Sequence, residues 1–124
     1  MSESRAEMDR QTLEHRTLGA MLGGITQNQM DKGLDQLEPE MFQYPIYATI
    51  FTAWRHLRRR SVHIDRVATA TYLILNHPEY AKDQWLVTLS YLEEGVDADA
   101  AIEPFISAMK GAEASAAKVR IEEV

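Results

Sequence analysis

Histidines and carboxylates are the residues of this chain that could bind a metal or transfer protons, and their spacing argues against both roles. The four histidines are scattered, without the His-Glu-x-x-His spacing that places two ligands on one helix face. They are His15, His56, His63 and His77. Glu93 and Glu94 are adjacent, and adjacent residues of a helix point apart, so we interpret them as a solvated helix end. The sequence predicts no metal site and no catalytic carboxylate pair.

Nucleophilic catalysis and nucleotide binding are not indicated either. The chain has no cysteine, which excludes disulfides, thiolate catalysis and cysteine-bound zinc. No serine or threonine has a recognisable base and orienting partner. The glycines within residues 19–27 and 111–118 lack the spacing of a phosphate-binding loop. We therefore predict no catalytic residue, no cofactor and no enzymatic activity.

Composition is that of a globular domain. The chain has 124 residues, of which 45% are hydrophobic and 26% charged, which is enough for one domain with a single core. No apolar run is long enough to span a membrane, and no apolar segment follows the first residues. We expect a cytoplasmic protein.

A basic run stands out against the net charge of −6. Residues 55–66 contain five arginines and one aspartate. Arginines in the last turn of a helix interact favourably with the negative end of its dipole, by about 0.3 to 1 kcal/mol each. The same side chains could contact DNA phosphates or an acidic partner. We favour the solvated helix end, and we take four of these arginines as candidate partner contacts: Arg55, Arg58, Arg59 and Arg60.

Apolar residues recur at helical spacing through nearly the whole chain, which predicts an all-α bundle of about six short helices. The apolar residues of the first helix are Leu18, Met21, Leu22 and Ile25, on one helix face that Gly23-Gly24 interrupts. The second helix carries Met30, Leu34 and Leu37 before Pro39, and the third carries Ile46, Ile50, Trp54 and Leu57 after Pro45. The last three carry Val67 to Leu75 after a cap at Asp65, Trp85 to Leu92 before Gly95, and Ile102 to Met109 after a cap at Asp97 or Asp99. We divide the chain into a flexible N-terminus (1–10), a helical domain (11–110) and a helical or disordered tail (111–124).

Four of these segments, in order, resemble the N-terminal domain of DnaB-type replicative helicases. Residues 13–22 are similar to the family's Glu-x-x-x-Leu-Gly-x-x-Leu helix, and residues 37–51 to its Leu-x-Pro-x-x-Phe turn and following helix. Residues 64–67 resemble the family's Ile-Asp-x-x-Thr-Val helix entry, and residues 102–109 its last helix. The residues that carry the resemblance are Leu18, Gly19, Leu22, Phe42, Tyr44, Pro45, Tyr47, Ile50, Phe51 and Asp65. Residues 81–86 depart from the family's Gly-Gly-x-x-Tyr-Leu element.

The resemblance implies a non-catalytic domain that builds the helicase collar and helps dock primase and loader proteins. The implied partners are replicative helicase subunits, primase or a helicase loader, with a homodimer as a further option and only weak or indirect DNA contact. A motor domain would be needed for ATP hydrolysis, so we expect none from this chain. The alternative hypothesis is a small helical DNA-binding regulator that uses the basic helix end; the net charge and the lack of a helix-turn-helix pattern oppose it.

Overall fold

The computed structural model describes residues 2–24, 27–94 and 101–112, with side chains from Arg10 onward in the first segment. Within these residues the chain is helical and contains no strand, which confirms the predicted all-α class. Five helices are α1 (Ser2–Leu22), α2 (Asn28–Gln36), α3 (Pro45–Arg59), α4 (Arg66–Asn76) and α5 (Lys82–Glu93). A sixth, α6, covers residues 103–112, and a 3₁₀ turn lies at Pro39–Met41.

Local sequence signals determine several of these helix ends. Pro45 occupies the first turn of α3, where its missing N–H has no helical partner to lose. Asp65 caps α4 as predicted, because its carboxylate accepts the Ala68 N–H at 2.8 Å. Gly23 directly follows α1, and Pro39 opens the 3₁₀ turn after α2. These residues place the turns that bring the helices together.

Several predictions concern the ends of the chain or the loops. The backbone of α1 is helical from Ser2, where the sequence favours a flexible terminus; its first residues include Glu, Arg, Ala and Met, which are good helix formers. The proposed caps Asp97 and Asp99 lie outside the described residues, as do Ile25, Gly95 and positions 113–124 of the tail. The three domain limits remain predictions.

The core is formed around α1, which contacts α2, α3 and α5. α4 packs against α3 and α5, and α6 contributes buried residues to the same cluster. Lys32 of α2 binds Glu103 of α6 at 2.6 Å, which adds an exposed ion pair between these helices. Each large aliphatic or aromatic side chain buried in this way contributes about 1.5 to 3 kcal/mol. The fully buried ones include Trp54, Trp85, Phe51, Leu18, Ile50, Leu73 and Leu89.

Both tryptophans are buried with their indole N–H groups bonded. Trp54 donates to the Thr69 hydroxyl at 2.9 Å, and that hydroxyl donates to the Asp65 carbonyl at 2.6 Å. Trp85 donates to the His77 carbonyl at 3.3 Å. An unbonded buried donor would cost about 1 to 3 kcal/mol, so these partners allow polar aromatic rings in the core.

α1 and α2 approach each other closely at Gly33. A Cβ atom built at this position would lie 2.5 Å from the Met21 sulfur and terminal methyl group. Met21 is 1% exposed, so its side chain has little room to move away. Glycine at this site therefore permits the close helix crossing.

Candidate interaction surface

A buried carboxylate joins the first sequence motif to the second. Glu14 of α1 is fully buried and binds the Arg10 side chain at 2.9 Å. The same carboxylate accepts the backbone N–H groups of Gln43 and Tyr44 at 3.1 and 3.2 Å. Arg10 also donates to the Met41 carbonyl. We call Arg10 and Glu14 with the backbone of residues 41–44 the α1–loop clasp.

The α1–loop clasp fixes the start of α3. The first N–H groups of a helix have no intrahelical acceptor, and an anion near them is stabilised by the helix dipole. The Tyr44 side chain makes no capping hydrogen bond, and the Glu14 carboxylate instead holds the backbone N–H groups of Gln43 and Tyr44, the two residues that precede α3. Sequence reasoning missed this role. The available signal was a glutamate four residues before Leu18, on the buried face of α1.

The ten residues that carry the resemblance mostly serve the core around this clasp. Leu18, Ile50 and Phe51 are fully buried, and Phe42 stacks on Phe51 with ring centroids 5.1 Å apart. Gly19 and Tyr47 are also buried, whereas Leu22 and Tyr44 are partly buried and Pro45 and Asp65 are exposed at helix starts. Most of them therefore stabilise the core and do not form an exposed binding surface.

His15 connects three helices beside the clasp. Its Nδ1 lies 3.2 Å from the Tyr47 hydroxyl and its Nε2 lies 2.9 Å from the Tyr91 carbonyl. Burial raises the pKa of the Tyr47 phenol above its usual value. A neutral His15 can donate to the carbonyl and accept from the phenol, so this contact joins α1, α3 and α5 without needing a charge.

The four candidate arginines have two different environments. Arg55 donates to the carbonyls of Leu34 and Leu37 at 3.1 and 2.5 Å, and pairs with Glu38 at 2.8 Å. Its guanidinium also lies 5.1 Å from the centre of the Phe51 ring. It therefore binds the carbonyl end of α2, which lacks intrahelical donors there.

The next three arginines are less uniform than their sequence suggests. Arg58 pairs with Asp35 at 2.7 Å and lies 3.8 Å from Asp31, both on α2. Arg59 and Arg60 are exposed and make no ion pair with any residue that the structure describes. Only these last two fit the solvated helix end that the sequence favours. Arg55 and Arg58 hold α3 against α2.

Most of the large apolar side chains that are exposed to solvent lie on α4 and α5. Val67 is 72% exposed and Leu75 is 75% exposed, although helical spacing alone would have placed them with the core stripe. On α5, the exposed residues are Leu86, Val87 and Tyr91. A groove of about 640 Å³ lies between the two helices. We call this region the α4–α5 groove; its lining includes Arg66, Val67, Ala70, Ile74, Leu75, Lys82 and Leu86.

Comparison with known protein families shows to which family this chain belongs. A family model described as the DnaB-like helicase N terminal domain matches residues 7–107. The chain belongs to this family. No curated protein and no solved structure matches the chain significantly.

Membership in the DnaB-like N-terminal family agrees with the resemblance found in the motifs and with the helical architecture. This domain is the non-catalytic part of the helicase. In the described part of the chain, no three His, Asp or Glu side chains come together as metal ligands. Among those same residues, no helix is both long and apolar enough to cross a bilayer.

Proposed function

We propose that this chain is a protein-interaction domain of DNA replication, which acts through contacts with replicative helicase subunits, primase or a helicase loader. The family match over residues 7–107 supports the replicative context. The observation that carries the interaction role is the α4–α5 groove, because exposed apolar patches on soluble domains commonly mark sites of protein association. In this proposal the domain contributes binding to other proteins.

Light scattering tests this proposal directly. The chain is measured alone and then with a purified DnaB-type helicase or a primase. A stable complex with either protein supports the proposed function, and formation of a homo-oligomer that joins helicase collars would support a collar-building role. A chain that remains monomeric and binds neither of these proteins nor a helicase loader would overturn the proposal.

The DNA-binding alternative has less support. Arg55 and Arg58 are engaged with α2, so two exposed arginines, Arg59 and Arg60, remain at this helix end. Removal of one phosphate-binding cation reduces the slope of log K against log salt for duplex binding by about one. We expect weak binding to duplex DNA that Arg59→Ala with Arg60→Ala reduces little. Steep salt dependence that this double change removes would instead favour the regulator.

A further inference from the structure

The α4–α5 groove has two mainly apolar walls, each with one hydroxyl side chain, and an apolar floor. Val67, Thr71 and Leu75 follow one another at four-residue spacing along α4, so they lie on one helix face. Leu86 and Ser90 have the same spacing on the facing part of α5. Ala70 and Ile74 lie between these rows and are largely buried. The exposed edges therefore line a straight channel.

The channel is long enough for about two turns of another helix. α4 and α5 run antiparallel, because Arg66 at the start of α4 lies 3.5 Å from Glu93 at the end of α5. From Val67 to Leu75 a helix advances about 12 Å, since each residue adds about 1.5 Å. Residues at positions i, i+4 and i+7 of an incoming helix span a similar length. A short amphipathic helix can thus place three apolar side chains in this groove.

The charged residues that line the groove indicate which kind of incoming helix would fit it. Its two charged lining residues, Arg66 and Lys82, are both cations, in a chain whose net charge is −6. They lie at opposite ends of the groove because the two helices are antiparallel. Arg66 is already paired with Glu93, whereas Lys82 makes no ion pair within the described residues. The end of the groove at Lys82 therefore offers an unpaired positive charge beside an apolar channel.

We infer that the α4–α5 groove binds an amphipathic helix of a protein partner that carries apolar residues at i, i+4 and i+7 and acidic residues beyond its apolar stripe. This inference rests on the proposed interaction function and names the chemistry of the partner. The apolar contacts supply the affinity. Lys82 sets the preferred sequence and direction of the bound helix, since charge complementarity acts mainly on specificity.

Two helix-favouring peptides of about 15 residues test this inference. Both carry three leucines at i, i+4 and i+7; one has glutamates at both ends and the other has lysines. Binding to the full chain is measured by fluorescence anisotropy. We expect the glutamate peptide to bind more tightly, by about threefold or more, as one to two exposed charge contacts allow. Equal affinity for the two peptides would overturn the charge argument.

Variants locate the peptide on the protein. Val67→Ser with Leu75→Ser should weaken the glutamate peptide by about tenfold or more, because the apolar contacts are removed. Lys82→Glu should reverse the preference, so that the lysine peptide binds more tightly. Val62→Ser is the matched control, since Val62 is 41% exposed but does not line the groove. A control variant that weakens binding as much as the groove variants would overturn the inference. The replaced side chains are mostly exposed, so each variant should keep its helices, and circular dichroism checks this.

Two further results separate this inference from the proposed function. If helicase or primase binds the chain and the Val67→Ser, Leu75→Ser variant binds equally well, the groove inference fails and the proposed function stands. If the peptide binds but neither protein does, the groove inference stands and the proposed function fails. A chain dimer that the same double change dissociates would show that a second copy covers the groove, which overturns the inference.

Discussion

Replacement of Glu14 by alanine should strongly destabilise the domain. The change removes a carboxylate that is fully buried and contacts Arg10 at 2.9 Å and two backbone N–H groups at 3.1 and 3.2 Å. The Arg10 side chain is only 10% exposed, so its charge would be left without its partner. Loss of one partner of such a pair costs about 3 to 5 kcal/mol, and each stranded N–H about 1 to 3 kcal/mol before water relieves it. Since these costs overlap, we expect the free energy of unfolding to fall by about 3 to 5 kcal/mol.

Urea unfolding followed by circular dichroism measures this loss, and Glu40→Ala is the control. Glu40 is an exposed glutamate in the neighbouring 3₁₀ turn, so its replacement should change stability by less than about 0.5 kcal/mol. The double change Arg10→Met with Glu14→Leu separates the two roles of the carboxylate. It removes both charges but leaves the loop N–H groups unbonded, so about 1 to 3 kcal/mol of the loss should remain. A Glu14→Ala variant within about 1 kcal/mol of the wild type would refute the role assigned to the clasp.

Three further changes test other contacts. Gly33→Ala should lower the free energy of unfolding by about 0.5 to 2 kcal/mol, because the new methyl group collides with Met21 and this cost exceeds the gain in helix propensity. Urea unfolding measures the change, with and without a second Met21→Ala substitution that removes the collision. Arg55→Met should cost about 1 to 2 kcal/mol and Arg59→Met less than about 0.5 kcal/mol in the same assay, since only the first arginine binds the end of α2. The hydrogen bond from Lys32 lowers the pKa of Glu103 in the folded protein. Wild type should therefore be more stable than Glu103→Gln above pH 4.5, and this difference should disappear as the pH falls through the folded pKa of Glu103. A difference that grows on acidification would contradict that assignment.

Local rules in the sequence predicted most of the helices. The turn at Pro45 and the cap at Asp65 act through neighbouring backbone groups, so their effects can be read without knowing the tertiary structure. Periodicity also identified the buried stripe of α3, where Ile50, Trp54 and Leu57 are all buried.

Contacts between distant residues could not be obtained in the same way. The position of Glu14 on the buried face of α1 indicates burial but not its partners, because the N–H groups that it accepts belong to a loop about thirty positions later in the chain. Likewise, the arginine run indicated one basic surface. Arg55 and Arg58 are instead engaged by the end of α2 and its neighbouring residues, because α3 packs against α2 in the folded chain. Val67 and Leu75 also show what the sequence alone could not predict. Apolar periodicity predicts a stripe but does not specify whether this chain or another molecule covers it.

The ten residues that carry the family resemblance and the residues that line the α4–α5 groove are different. The motif residues are mostly buried around the α1–loop clasp, where they stabilise the core. Lys82, by contrast, lines the α4–α5 groove at a position where this sequence differs from the Gly-Gly-x-x-Tyr-Leu element that it resembles, whereas Leu86, also in the groove, matches the leucine of that element. A change confined to an exposed groove alters binding without affecting the core, because exposed positions contribute little to stability. If the groove binds a partner as proposed, binding measurements on Lys82 variants are more informative about that partner than measurements on the family motif.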